Sequence, residues 1–168
     1  NPTSASILFE LSQVQFWVGY SHYLGNNVSE ARSFYEDYLV SAQQLVVLEP
    51  LNADYQIELA YAFSNLGTME LEQNRPILAR EAFQRCEEIF RALSEAQPDD
   101  IDLVFETAAT NSWLAKTYLV EYQLSSGLEH RILAANQYAQ VAASTGYPFH
   151  KKMEAESWGL LAETHFLN

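Results

Sequence analysis

The sequence predicts an all-α fold, a right-handed superhelix (solenoid) of about three and a half helical hairpins with seven helices. Three observations predict it. Apolar residues recur every three to four positions through most of the chain, the spacing of a helix face turned toward a core. Gly and Pro are scarce, 6 and 5 in 168 residues, as a nearly all-helical chain requires. Landmark residues also return every 48 positions. Val18-Gly19, Leu66-Gly67 and Leu114-Ala115 follow that period, as do Ala31-Arg32 and Ala79-Arg80, Tyr35 and Phe83, and Glu49-Pro50 and Gln97-Pro98. Asp54 returns as Asp102, Glu58 as Glu106, Ala60 as Ala108 and Ser64 as Ser112. A fixed period of this kind marks stacked copies of one supersecondary unit.

The elements can be justified in order. Residues 5–24, ASILFELSQVQFWVGYSHYL, form the first helical pattern and end at Gly25-Asn26-Asn27. Ser29 is the candidate cap of the second helix, whose face carries Ala31, Phe34, Tyr35, Tyr38, Leu39, Ala42, Leu45 and Val46 up to Pro50. Residues 54–98 read as a hairpin around which the chain is organised. Its first face has Ala60, Phe63, Leu66, Gly67 and Leu71; its second has Ala79, Ala82, Phe83, Cys86, Ile89, Phe90 and Leu93. The Asn74-Arg75-Pro76 break between them puts Pro near the start of the following helix, where its missing N–H does least harm. Asp99-Asp100 complement the dipole at the start of the fifth helix, which runs to Ser125-Ser126-Gly127. A sixth covers about 129–144 and stops at Gly146-Tyr147-Pro148; the seventh, KKMEAESWGLLAETHFL, has no partner in a hairpin. The units are thus about 5–50, 51–98 and 99–148, with a half-unit at 149–168. The third unit drifts, its Pro148 falling two places late, and Leu161-Ala162 falls one place early in the half-unit.

With 48% hydrophobic residues, the chain is no disordered tail, and its length suits one domain. Its formal charge is −13, from 22 acidic and 9 basic residues, which repels phosphate backbones and anionic membrane surfaces. No nucleic-acid or membrane partner is expected, and no apolar run approaches the ~18 residues of a membrane span. The single Cys86 excludes an internal disulfide framework and fits a reducing, cytoplasmic compartment. A start at Asn-Pro-Thr-Ser rather than Met suggests a segment of a longer polypeptide.

With Ala60 taken as the opening of the central unit, the pattern resembles the tetratricopeptide repeat. Leu66-Gly67 falls on that family's large-small pair, Ala79 on the small residue opening the second helix, Phe83 on the aromatic and Cys86 on the last small position. Val18-Gly19, Ala31 and Tyr35 match in the first unit, but bulky Tyr38 replaces the last small residue. Leu114-Ala115 and Tyr118 match in the third. The family's usual unit has ~34 residues. The 14 additional ones lie between the Cys86 position and the next unit's Ala108, in two antiparallel neighbours. Each would lengthen by about seven residues, or two turns, which nearly preserves its apolar face. The resemblance implies two antiparallel helices per unit and a protein-binding role, and long-helix relatives occur in bacterial signalling and regulatory proteins.

Motifs for catalysis are missing: there is no phosphate-binding loop, nucleophile elbow or paired-Cys metal motif, and no cofactor or metal is called for. His22, His130, His150 and His165 lack metal-ligand spacing. Cys86 occupies a helix crossing and is expected to be a buried, inert thiol. Glu87, Glu88 and Glu95 are expected to form a solvated face with Arg80, Arg85 and Arg91.

What remains is a binding surface. The resemblance implies a concave groove lined by the first helix of each unit: Gln13, Phe16, Tyr20 and Tyr23; Tyr61, Ser64, Thr68 and Leu71, with Asn65 beside Ser64; and Ala109, Ser112, Lys116 and Leu119. Tyrosine gives a broad apolar face and a hydrogen-bonding tip at low entropy cost. Phe16, Tyr20 and Tyr23 could instead pack against a neighbouring helix. Family members that grip a C-terminal carboxylate use Lys, Arg and Asn along this groove. Asn65 and Lys116 fit, but Phe16, Tyr20 and Trp113 stand where polar or cationic groups are needed, so no carboxylate clamp is expected. The expected function is a non-catalytic scaffold binding a peptide or protein segment. The alternatives are homodimerisation through Trp158, Leu161 and Phe166 on the last helix, unless that helix simply caps the array, and service as the sensor or regulatory part of a larger signalling protein.

Overall fold

In the computed structural model, which describes residues 4–166 with side chains as far as Glu163, the described residues form seven α-helices and no strand. They are α1 (Ser4–Leu24), α2 (Val28–Leu48), α3 (Ala53–Glu72), α4 (Pro76–Ala96), α5 (Ile101–Val120), α6 (Leu124–Thr145) and α7 (Pro148–Phe166). The fold is all-α, and within each of its two compact units helices that follow one another pack as neighbours.

The 48-residue period is written into the backbone. α1, α3 and α5 end at Leu24, Glu72 and Val120, and α2, α4 and α6 begin at Val28, Pro76 and Leu124. Each connection has one left-handed residue at the same register: Asn26 (φ 57°), Asn74 (φ 57°) and Tyr122 (φ 59°). The next N–H then reaches back over the helix end, from Asn27 to His22 O, Arg75 to Glu70 O and Gln123 to Tyr118 O, each at 2.9 Å. This closure satisfies carbonyls that the helix ends would leave unpaired. At the opposite ends, Asn52 Oδ1 accepts from the N–H groups of Asp54 and Tyr55, and Asp100 Oδ1 from those of Asp102 and Leu103. The acid expected to favour the start of α5 is therefore its side-chain cap.

Two boundary expectations are corrected. Helix α2 begins one residue before Ser29, and Asn27 occupies the cap position without a side-chain hydrogen bond. Ser125-Ser126-Gly127 do not end α5 but lie in the first turn of α6. The turn is made by Glu121-Tyr122-Gln123, and Gly127 serves packing: a Cβ there would stand 2.8 Å from the Leu119 side chain. Gly127 follows Ala79 by 48 positions, so it is the small residue of the third unit rather than a breaker.

The chain divides into two compact units, Asn1–Arg75 and Pro76–Asn168. In the first, α2 packs on both α1 and α3. Buried Ala31, Tyr35 and Met69 meet Phe16, Tyr23, Val28 and Leu66; buried Tyr38, Ala42 and Ala62 meet Phe16, Leu39, Leu59 and Tyr61. Gly19 is the small residue where α1 crosses α2, since a Cβ would stand 2.9 Å from the Tyr35 ring. Glu70, 6% exposed, is held by the guanidinium groups of Arg32 (2.6 Å) and Arg75.

In the second unit, α5 packs on α4 and α6, and α7 on α6. Ala108, Ala134 and Tyr138 form a buried cluster with Phe105 and Met153 against it. The Phe83 and Trp113 rings stack with centroids 5.5 Å apart, and buried Cys86 Sγ lies 3.4 Å from Thr110 Oγ1. On α4, Arg85 pairs with Glu88 and Arg91 with Glu87 and Glu95, the expected solvated face. Arg80 departs from it: its guanidinium pairs with Glu121 and lies over the Tyr118 ring.

Candidate functional site

Helices α1 and α3 run in the same direction, side by side. Phe9 and Tyr55 meet near their starts, with ring centroids 5.8 Å apart. Near their ends the Tyr23 hydroxyl donates to Glu72 Oε1 at 2.6 Å. Side chains one turn apart therefore project from both helices toward one strip of surface. Gln13 and Phe16 come from α1; Glu58, Tyr61, Ser64 and Asn65 come from α3; Tyr38 reaches up between them from α2. Together they line a pocket of about 320 Å³.

The floor of the pocket is polar. Tyr38 is 1% exposed, and its hydroxyl donates to Glu58 Oε2 at 2.5 Å. The Gln13 side chain also hydrogen-bonds Glu58. Burial pushes the Glu58 carboxyl above its ordinary value, against these two bonds, and nearby Asp54 raises it further. Burial and the facing carboxylate push the Tyr38 hydroxyl far above its ordinary range, so it is a donor at every physiological pH. Among the described residues Glu58 has no ion-pair partner, and the lining of the pocket contains no cation.

The expected groove residues divide among several roles. Gln13, Phe16, Tyr61, Ser64 and Asn65 converge on the pocket. Phe16 does two jobs, packing on both buried clusters of the first unit while it lines the wall. Tyr23 is half-buried against the Ala31–Tyr35–Met69 cluster and bound to Glu72, which raises its pKa. Tyr20, 37% exposed, stacks between Phe16 and Tyr23 at 6.1 and 6.4 Å and continues the aromatic strip. Thr68 Oγ1 donates to Ser64 O and Asn65 Nδ2 to Tyr61 O, both along their own helix.

Ser112 and Lys116 belong to the second unit. There Ser112 Oγ donates to Ala108 O and bonds Tyr138, while exposed Lys116 lies 5.0 Å over the Trp113 ring. On the last helix Trp158 is 42% exposed and Leu161 is half-buried; the Phe166 side chain lies outside the described residues.

Two residues central to the pocket were not picked out from sequence as site residues, Tyr38 and Glu58. The signal for Tyr38 was its break with the pattern: Tyr38, Cys86 and Ala134 share a register, and the first is large where the others are small. Glu58 resembled any other acidic residue of a helix. Among the described residues no group of three or more His, Cys, Asp or Glu is placed to hold a metal ion, and no helix is long and apolar enough to cross a membrane. Compared with models of protein families and with curated proteins, the chain has no significant match.

Proposed function

We propose that the chain is a non-catalytic protein-interaction module that binds an extended or helical segment along the α1–α3 face of its first unit. One observation carries this reading: Gln13, Phe16, Tyr61, Ser64 and Asn65, from two helices, line one aromatic pocket with a polar floor. Aromatic walls with a few convergent polar groups suit side-chain recognition, and 320 Å³ is the low end of sites that enclose a ligand. Kinship with long-helix tetratricopeptide-like repeats belongs to the same proposal. It rests on the 48-residue recurrence of turns, caps and small residues, and it would make the chain a scaffold or a regulatory part of a signalling protein. The segment bound would come from another protein or from another domain of the same polypeptide.

The test is selection of random twelve-residue peptides on the protein, followed by titration of the enriched peptides. Tyr61→Ala and Asn65→Ala should each weaken binding about tenfold or more, with circular dichroism showing each variant folded, because Tyr61 also packs on the Tyr38–Ala42–Ala62 cluster and its loss lowers the melting temperature. Unchanged affinity in both would contradict the reading.

A second reading, homodimerisation through α7, is favoured by the exposure of the large Trp158 side chain, 42% exposed on that helix. Its check is solution mass by light scattering over a range of concentrations. A dimer that Trp158→Ala returns to monomer supports it, and a monomer at high concentration removes it.

A further inference from the structure

Glu58 and Glu70 lie on the same helix of the first unit, yet they are neutralised in different ways. Glu70 is held by two guanidinium groups, Arg32 and Arg75. Among the described residues Glu58 receives only neutral donors, Tyr38 and Gln13, and it has Asp54 one turn before it as a further negative charge. A partly buried carboxylate without a counter-ion is costly for a fold to keep, and it becomes favourable when a cation is delivered to it. The walls point the same way. Phe16 and Tyr61 present aromatic rings beside the carboxylate, and ring faces attract cations, guanidinium above all. Ser64 and Asn65 add oxygen acceptors at the rim. A cavity of about 320 Å³ admits one long side chain with a little of its backbone, and not a folded surface.

We propose that the pocket takes the guanidinium group of an arginine on the bound segment, with Glu58 as its counter-ion and Phe16 and Tyr61 as the rings it lies against. The inference rests on the interaction-module reading and names the side chain that this site selects. Arginine is preferred over lysine because its planar fork can meet a carboxylate with two N–H groups and stack on a ring at once. The chain's charge of −13 adds long-range attraction for a basic segment, which raises the rate of encounter more than the specificity.

The test uses the same selection of random twelve-residue peptides, with Tyr61→Ala protein to remove peptides that bind elsewhere. Enriched peptides should share an arginine at one position. Its replacement by citrulline, which keeps the shape and removes the charge, should weaken binding about tenfold or more. On Glu58→Gln protein the two peptides should bind alike. Far-ultraviolet circular dichroism of that variant shows whether it is folded, and a Lys peptide and 0.5 M salt give an independent reading of charge dependence, so the outcome does not rest on one substitution. Peptides that need Tyr61 but carry no fixed basic residue, or that bind equally with citrulline, overturn this inference and leave the interaction module standing. A selection in which no peptide depends on Tyr61 overturns both.

Discussion

The hydroxyl of Tyr38 lies 2.5 Å from Glu58 Oε2, joining α2 to α3 beneath the pocket. Tyr38 stands where the corresponding residues of later units are Cys86 and Ala134, so the crossing of small side chains has here been exchanged for a polar tether. Tyr38→Phe keeps the buried ring and removes only the donor. It should cost about 1–2 kcal/mol, the range for a hydrogen bond to a charged acceptor that can regain some water. Tyr38→Ala, which also opens a cavity, should cost about 3–5 kcal/mol. Urea denaturation followed by circular dichroism measures both, and equal losses would mean that the ring contributes nothing beyond its hydroxyl.

Glu58 gives the pocket a pH dependence of defined sign. Its carboxyl is raised above the ordinary 4.5 when folded, so the folded state holds that proton more tightly than the unfolded state does. The resulting stabilisation is present below 4.5 and is lost as pH rises through the raised value. The facing groups are Tyr38 from α2, Gln13 from α1 and Asp54 and Tyr61 from α3. Glu58→Gln should therefore gain stability relative to the unaltered protein as pH rises from 4.5 toward 7, by less than about 1 kcal/mol because water screens this half-open group. Denaturation midpoints of the two proteins at several pH values check it; a gap that stays constant would contradict it.

Glu70, unlike Glu58, is held by cations, and its removal should destabilise the first unit. Glu70→Ala removes the buried carboxylate that Arg32 and Arg75 share; because both guanidinium groups keep some contact with water and Arg32 keeps Glu36, it should cost about 1–3 kcal/mol. Removing Glu88, whose pairing with Arg85 is exposed, should cost less than about 1 kcal/mol. Thermal melting of the two variants makes the comparison.

Gly19→Ala tests the α1–α2 crossing. A helix interior normally gains about 0.5–1 kcal/mol from this change. Here the added Cβ would stand 2.9 Å from a Tyr35 ring that is itself buried and 3.2 Å from Phe34 Cβ, so a net loss of about 1–3 kcal/mol is expected. A stabilised variant would show that the two helices can separate there without loss.

Helix number, order and period were legible because each leaves a local mark in the chain: small residues at crossings, apolar faces, and punctuation every 48 positions. The connections were less legible where one residue type could do two jobs. Gly127 reads as a breaker next to two serines, yet it is the small residue under Leu119, and Tyr122 takes the left-handed turn that Asn26 and Asn74 occupy elsewhere. Arg80 looked like one more surface charge on α4, because its partner Glu121 is 41 residues away and no local pattern announces it. The pocket was half visible. Gln13, Phe16, Tyr61, Ser64 and Asn65 came from what the resemblance to the tetratricopeptide repeat implies for the first helix of each unit, whereas the Tyr38–Glu58 floor depends on two side chains meeting across a helix pair, which spacing alone does not reveal.

The most direct measurement of the central claim is a map of backbone amide chemical shifts while an enriched peptide is titrated into the protein. The largest changes should fall in residues 13–20 and 58–68, along the neighbouring faces of α1 and α3, and Tyr61→Ala should shift them to at least tenfold higher peptide concentration. Changes centred on α7 around Trp158, with residues 58–68 undisturbed, would contradict it.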